Sequence, residues 1–192
     1  GMFLRPGDGR DLRSVPPRRS SDLAIRGGTE RAGDHDAPVV LVLHGLEGSA
    51  RRRYVMLTYQ ELLARGLHAV GLNFRSCSGE PNRLARFYHS GETGDLDHVL
   101  GVLHDRFPGV PIGVIGYSLG GNVLLRYLGE RGEAAGARVH AAVGVSVPFD
   151  LTAGGEALER GIMGKVYTEY FLRGLRRKVM AKEALLAGRC DV

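Results

Sequence analysis

One stretch constrains this chain more than any other. The apolar run Val110-Pro111-Ile112-Gly113-Val114-Ile115 ends in Gly116-Tyr117-Ser118-Leu119-Gly120 and passes directly into a helical pattern at Gly121-Asn122. Gly-x-Ser-x-Gly between a strand and a helix is the sequence form of a tight turn that lifts a serine hydroxyl above a sheet edge. The serine's backbone is strained there, so its neighbours must carry no side chain that would strike the strand or the helix. With 29 Gly among 192 residues, about 0.2 matches arise by chance, so the flanking elements must support the assignment.

Those elements alternate. Pro38-Val39-Val40-Leu41-Val42-Leu43 is short, continuous and β-branched, the pattern of a strand buried on both faces. It runs into His44-Gly45-Leu46-Glu47-Gly48-Ser49. A helix is expected over 53–65, with Tyr54, Met56, Leu57, Leu62 and Leu63 on its apolar side and Gly66 as its stop. A second strand spans 67–74, and a helix over about 95–106 carries Asp95 and Asp97 in its first turn, where the helix dipole favours them. The third strand spans 110–115, the third helix 118–130, and a fourth apolar strand Val139–Val147. Strands alternating with helices of this length define crossover units and a mostly parallel, doubly wound α/β sheet. Ligands of such sheets bind at the carboxyl ends of the strands. His44, Arg75 and Ser118 each follow such an end.

The flanks read differently. Residues 1–37 are rich in Arg, Pro, Gly, Ser and Asp and are expected to be a loosely ordered lead-in, with one short edge strand near 21–26. From 38 to 150 runs the α/β core, and 151–192 form a helical segment. Its period places Ile162, Val166, Tyr170, Phe171, Leu175 and Val179 on one side, beside Arg173, Arg176, Arg177 and Lys178. A cap over the strand ends, simple packing on the sheet and a membrane-surface helix all fit this pattern.

The net charge is +5, yet the aromatic interleaving of a nucleic-acid surface is missing, and no nucleic-acid partner is expected. No apolar run approaches the ~18 residues of a membrane span, so no integral membrane segment is expected. Cys77 and Cys190 make neither a disulfide framework nor a metal-ligand spacing and fit a reducing, cytoplasmic setting. His98, His104 and Asp105 share a helix but read as a solvated polar face, so no metal is assigned and no cofactor is called for.

Four stretches in order now carry a resemblance: His44-Gly45-Leu46-Glu47-Gly48-Ser49, Asn73-Phe74-Arg75-Ser76-Cys77-Ser78-Gly79-Glu80, Tyr88-His89-Ser90-Gly91 and Gly116-Tyr117-Ser118-Leu119-Gly120-Gly121-Asn122. From about 38 to 190 the chain resembles the α/β-hydrolase fold, and within it the YheT-like branch of abhydrolase-domain esterases. The resemblance implies Ser118 as a nucleophile toward a small acyl ester. It implies the backbone N–H of Leu119 as one oxyanion donor and that of Leu46 as the second. His44, Gly45, Arg75 and Tyr117 would line the site. His44 is read as shaping its loop rather than moving protons, and Cys77 and His89 as packing under or rimming the site.

The family order is Ser, then Asp or Glu, then His. After Ser118 the chain has one histidine, His140, at the start of its strand. Seven strand residues put it roughly 20 Å from the carboxyl edge, too far to serve Ser118. Asp150 follows the fourth strand, where some α/β-hydrolases carry the acid, but the resemblance argues against it. The chain is therefore expected to be the first half to two-thirds of a serine hydrolase, truncated or naturally short, with an incomplete C-terminal side and weak turnover. The alternative is a non-catalytic binding module that keeps the pocket. An apolar strand 139–147 left at the sheet edge predicts a homo-oligomer, paired along that strand or through exchanged C-terminal helices.

Overall fold

A computed structural model describes residues 36–186 and, by backbone alone, the strand at 22–26. The rest of the expected lead-in, and Cys190, lie outside the described residues. Five strands form one sheet: β1 (Asp22–Arg26), β2 (Val39–Leu43), β3 (His68–Asn73), β4 (Ile112–Tyr117) and β5 (Ala141–Val145), in the order β1-β3-β2-β4-β5. β1 runs antiparallel to β3, and the other pairings are parallel. The edge strand expected near 21–26 is β1.

Alternating side chains of the parallel strands face two helical layers. Val39, Leu41 and Leu43 of β2, Val70 and Leu72 of β3 and Ile112 and Val114 of β4 meet α2 (Gly94–Arg106) and α3 (Leu119–Arg131). Val42 and Ala69 face the other way, onto α1 (Arg53–Ala64). A sheet covered on both faces needs apolar residues at successive positions, which explains the continuous run in β2. The buried side of α1 is Val55, Tyr59 and Leu62, whereas Leu57, expected on it, is exposed. β-branched Val55 starts the i, i+4, i+7 stripe that meets the sheet.

The fourth strand is shorter than the apolar run from Val139 to Val147. The N–H groups of Arg138 and Val139 both turn back to the Ala135 carbonyl at 2.9 Å, closing the 3-10 turn Gly132–Ala137. At the far end Ser146 adopts φ +51° and breaks the strand. β5 pairs with β4 alone among the described residues, and 141–144 are exposed.

Beyond β5 come α4 (Leu151–Glu159), α5 (Gly161–Met180) and the single turn α6 (Glu183–Leu186). α4 begins at Leu151. Asp150 is its N-cap, with its carboxylate accepting the Ala153 N–H at 2.9 Å, and Gly154-Gly155 blur the period. α5 rests on the loops at the carboxyl edge rather than on a sheet face. Its expected apolar side divides accordingly: Phe171, Leu175 and Val179 are half-buried, while Ile162, Val166 and Tyr170 are exposed. Buried Lys182, just after α5, anchors this end by donating to Asn82 Oδ1 and to the Leu84 and Arg86 carbonyls, 3.0 Å each for the two carbonyls. No described helix is long and apolar enough to cross a membrane.

Candidate active site

The parallel register aligns the strand ends. Leu43 pairs with Leu72 of β3 and with Gly116 of β4, and Tyr117 pairs with Val145. His44, Phe74, Ser118 and Ser146 therefore leave the sheet along one edge.

At the end of β4, Ser118 adopts φ +50° and ψ −115°, a region that L residues rarely occupy. Its N–H donates to the Val145 carbonyl at 2.8 Å, and its carbonyl accepts the Asn122 N–H at 3.1 Å. The glycines around it are there for contact. A Cβ on Gly116 would stand 2.5 Å from the Gly120 carbonyl oxygen, and one on Gly120 would stand 2.7 and 2.8 Å from the carbonyl oxygens of Leu43 and His44. Strand, turn and helix are thus pressed backbone to backbone, and the first turn of α3 lies against the end of β2.

The loop after β2 meets this turn. A Cβ on Gly45 would lie 3.3 Å from the Ser118 Cβ. The Gly48 N–H donates to the Gly45 carbonyl at 3.0 Å, making 45–48 a tight turn with Leu46 and Glu47 at its centre. Glu47 takes φ +52°, a position where a turn ordinarily uses glycine. Several groups hold it there. Its N–H donates to Tyr88 Oη at 2.9 Å, and its carbonyl accepts from Arg52 at 2.9 Å. Its carboxylate Oε1 accepts from Tyr88 Oη at 2.8 Å and from Lys178 Nζ at 2.6 Å. The Gly45 N–H donates to Tyr54 Oη at 2.9 Å, and the Ala50 N–H to Asn73 Oδ1 at 2.8 Å. The N–H of Leu119 is the first of α3, one of the amides a helix leaves without an intrahelical acceptor. The side chains of Leu46 and Leu119 both pack on the main core, which fixes the backbone on either side of Ser118.

His44 is fully buried. Its Nδ1 donates to the Gly45 carbonyl at 2.7 Å, and its Nε2 accepts the Phe74 N–H at 3.2 Å. A carbonyl on one ring nitrogen and an amide N–H on the other require the neutral Nδ1–H tautomer. Burial lowers its pKa to about 4. Both nitrogens are committed to holding two loops together, so His44 is not free to take a proton from Ser118. His140, His104 and His89 are engaged elsewhere. The Nδ1 of His140 accepts the Ile112 N–H at 3.3 Å, at the opposite edge of the sheet. Nε2 of His104 contacts the Arg138 carbonyl at 3.1 Å, and Nδ1 of exposed His89 accepts the Gly91 N–H.

Arg75 does not line the site. It is 1 % exposed and forms a buried ion pair with Asp95 of α2. Tyr117 flanks Ser118 on the α1 side, stacked edge-on against Tyr54 and hydrogen-bonded to Thr58 at 2.6 Å. Cys77 is buried beside Lys178, and burial pushes its thiol pKa up. Sequence reasoning missed Tyr54, Asn73 and Lys178 as supports of the loop. Asn73 opens one recognised stretch and Tyr54 follows another by five residues, but nothing in the sequence links Lys178 to Glu47 across 131 residues.

A mostly parallel sheet, a strained serine between strand and helix, and a glycine loop packed against it are features of an α/β-hydrolase-type fold. The α/β-hydrolase fold family profile matches residues 38–173, and the chain belongs to that family. It is 42 % identical over 151 residues to the protein named "Putative esterase YheT" of Escherichia coli (strain K12), covering 79 % of this chain and 44 % of that one. It is 33 % identical over 119 residues to the monoacylglycerol lipase of Saccharomyces cerevisiae, covering 62 % and 26 %. The crystal structure of XC6422 from Xanthomonas campestris, described as an α/β serine hydrolase without a lid, superposes with a TM-score of 0.55. Identity is 24 %, with 68 % of this chain and 57 % of that one covered, so this likeness concerns the fold. The chain thus spans less than half the length of either sequence relative.

Proposed function

We propose that this chain carries the nucleophile half of a serine hydrolase acting on small carboxylic esters. Ser118 attacks the acyl carbonyl, and the N–H groups of Leu46 and Leu119 stabilise the developing oxyanion, each such donor contributing roughly 3 kcal/mol. The observation that carries this reading is the contact between the Gly45 loop and the strained Ser118 turn. The esterase and lipase names of the relatives support the ester class.

A serine hydroxyl needs a base to become a strong nucleophile. Two histidines the reading sets aside as bases are His44, with both nitrogens engaged, and His140, at the opposite edge. The expected turnover is therefore low, since an oxyanion site and binding alone leave a residual acceleration of about 10³–10⁴ over water. The same observation favours a second reading, a binding module that keeps the pocket without chemistry.

Labelling by a fluorophosphonate probe separates the two. Slow labelling located on Ser118 and lost in Ser118→Ala supports the nucleophile. Labelling no faster than that of a serine in an unfolded peptide supports the binding module. Rapid Ser118-dependent hydrolysis of a short p-nitrophenyl ester would show that a base is present after all.

A further inference from the structure

A cleft of about 420 Å³ opens beside the candidate site, between the loops after β2 and β3 and the end of α5. Cys77, Lys178 and Glu47 all line it. Lys178 Nζ lies 3.2 Å from Cys77 Sγ and 2.6 Å from Glu47 Oε1. The Lys178 ammonium thus bridges the Cys77 thiol on one side and the Glu47 carboxylate on the other. Cys77 has no part in the proposed ester chemistry, and Lys178 enters it only through the Glu47 turn it supports.

We propose that Cys77 and Lys178 are a modification site, at which hydrogen peroxide joins the two side chains through a single oxygen as an S–O–N cross-link. The thiolate is the form of cysteine that peroxide converts to sulfenic acid, and the Lys178 ammonium 3.2 Å from Cys77 Sγ favours that form. In the first step Cys77 S–H and one H2O2 give Cys77 S–OH and one water. In the second, the S–OH, the Lys178 NH2 and a second H2O2 give S–O–NH and two waters. Sulfur and nitrogen each lose two electrons, and each pair reduces one peroxide O–O bond. The proton that converts the Lys178 ammonium to the amine passes to Glu47 and then to solvent. A gap of 3.2 Å leaves room for one bridging atom without moving either backbone.

The product ties α5 covalently to the loop after β3. It also removes the cation from the Glu47 carboxylate, one of the groups that hold Glu47 at positive φ. The cross-link depends on this contact alone and stands apart from the nucleophile assignment.

The test uses the full chain carrying Cys190→Ser, so that Cys77 is its sole thiol. After treatment with graded hydrogen peroxide and tryptic digestion, peptide 76–83 should appear joined to peptide 178–182. The joined species is expected about 14 Da above the sum of the two peptides, one oxygen gained and two hydrogens lost. It should disappear on addition of a reducing phosphine and be absent from Cys77→Ala and from Lys178→Arg. Lys178→Arg keeps a cation facing Glu47, and circular dichroism checks that both variants are folded. Progress of Cys77 to sulfinic acid, with trypsin still cleaving after Lys178, would overturn the proposal. So would a direct S–N product about 2 Da lighter than the two peptides, or a link that survives Lys178→Arg.

Discussion

Ser118→Gly should make this protein more stable. Ser118 is held at φ +50°, ψ −115° by the Val145 carbonyl on one side and the Asn122 N–H on the other. A non-glycine residue in such a region stores about 1–3 kcal/mol. Removing the Cβ releases that strain, while the added freedom of glycine in the unfolded chain costs about 0.5–1 kcal/mol. The net gain is about 0–2.5 kcal/mol, centred near 1, at about 2–4 °C in Tm per kcal/mol for a chain of this size. Ser118→Ala is the control. It removes the hydroxyl but keeps the Cβ, so it keeps the strain and should lie within about 0.5 kcal/mol of the parent. Urea unfolding reads the difference as a shift in midpoint at constant slope. If Ser118→Gly proves no more stable than Ser118→Ala, the turn stores no strain and the reasoning from backbone geometry fails.

His44 should stay neutral well below its ordinary range. Its folded pKa of about 4 lies under the unfolded value of 6.5. The unfolded chain therefore takes up the proton first. Stability is complete above pH 6.5 and falls as pH drops toward 4, by about 3 kcal/mol in all. An imidazole NMR titration flat from pH 8 to 5 is expected, and a midpoint near 6.5 would contradict the buried tautomer. The outer edge of β5, exposed and paired with no further strand among the described residues, is expected to drive self-association. Light scattering should show a species larger than 20.7 kDa at micromolar concentration, and a monodisperse monomer would refute this.

Much of the architecture was legible because it rests on local patterns. The unbroken apolar run of β2 announced a strand covered on both faces, and Gly116, Gly120 and Gly121 around Ser118 announced a close backbone crossing. Each depends on residues within a few positions of one another. The limits of β5 were less legible, because apolar side chains continue past the points where Arg138 and Val139 turn back to Ala135 and Ser146 breaks the strand. The apolar period of α5 was real, but period alone does not say which stretch finds a partner. Phe171, Leu175 and Val179 did, and Ile162, at 82 % exposure, did not.

By itself, the sequence determined the order of strands and helices, the serine turn and the membership of the strand ends in one edge, since these follow from periodicity and from glycine sterics. Only the tertiary structure decided what the polar residues do. Arg75 went beneath the site to Asp95, His44 spent both ring nitrogens on two loops, and Lys178 came to Glu47 and Cys77 from 131 and 101 positions away. Hydrogen bonds and ion pairs act over about 3 Å, and no local pattern records which distant segments a fold will bring that close.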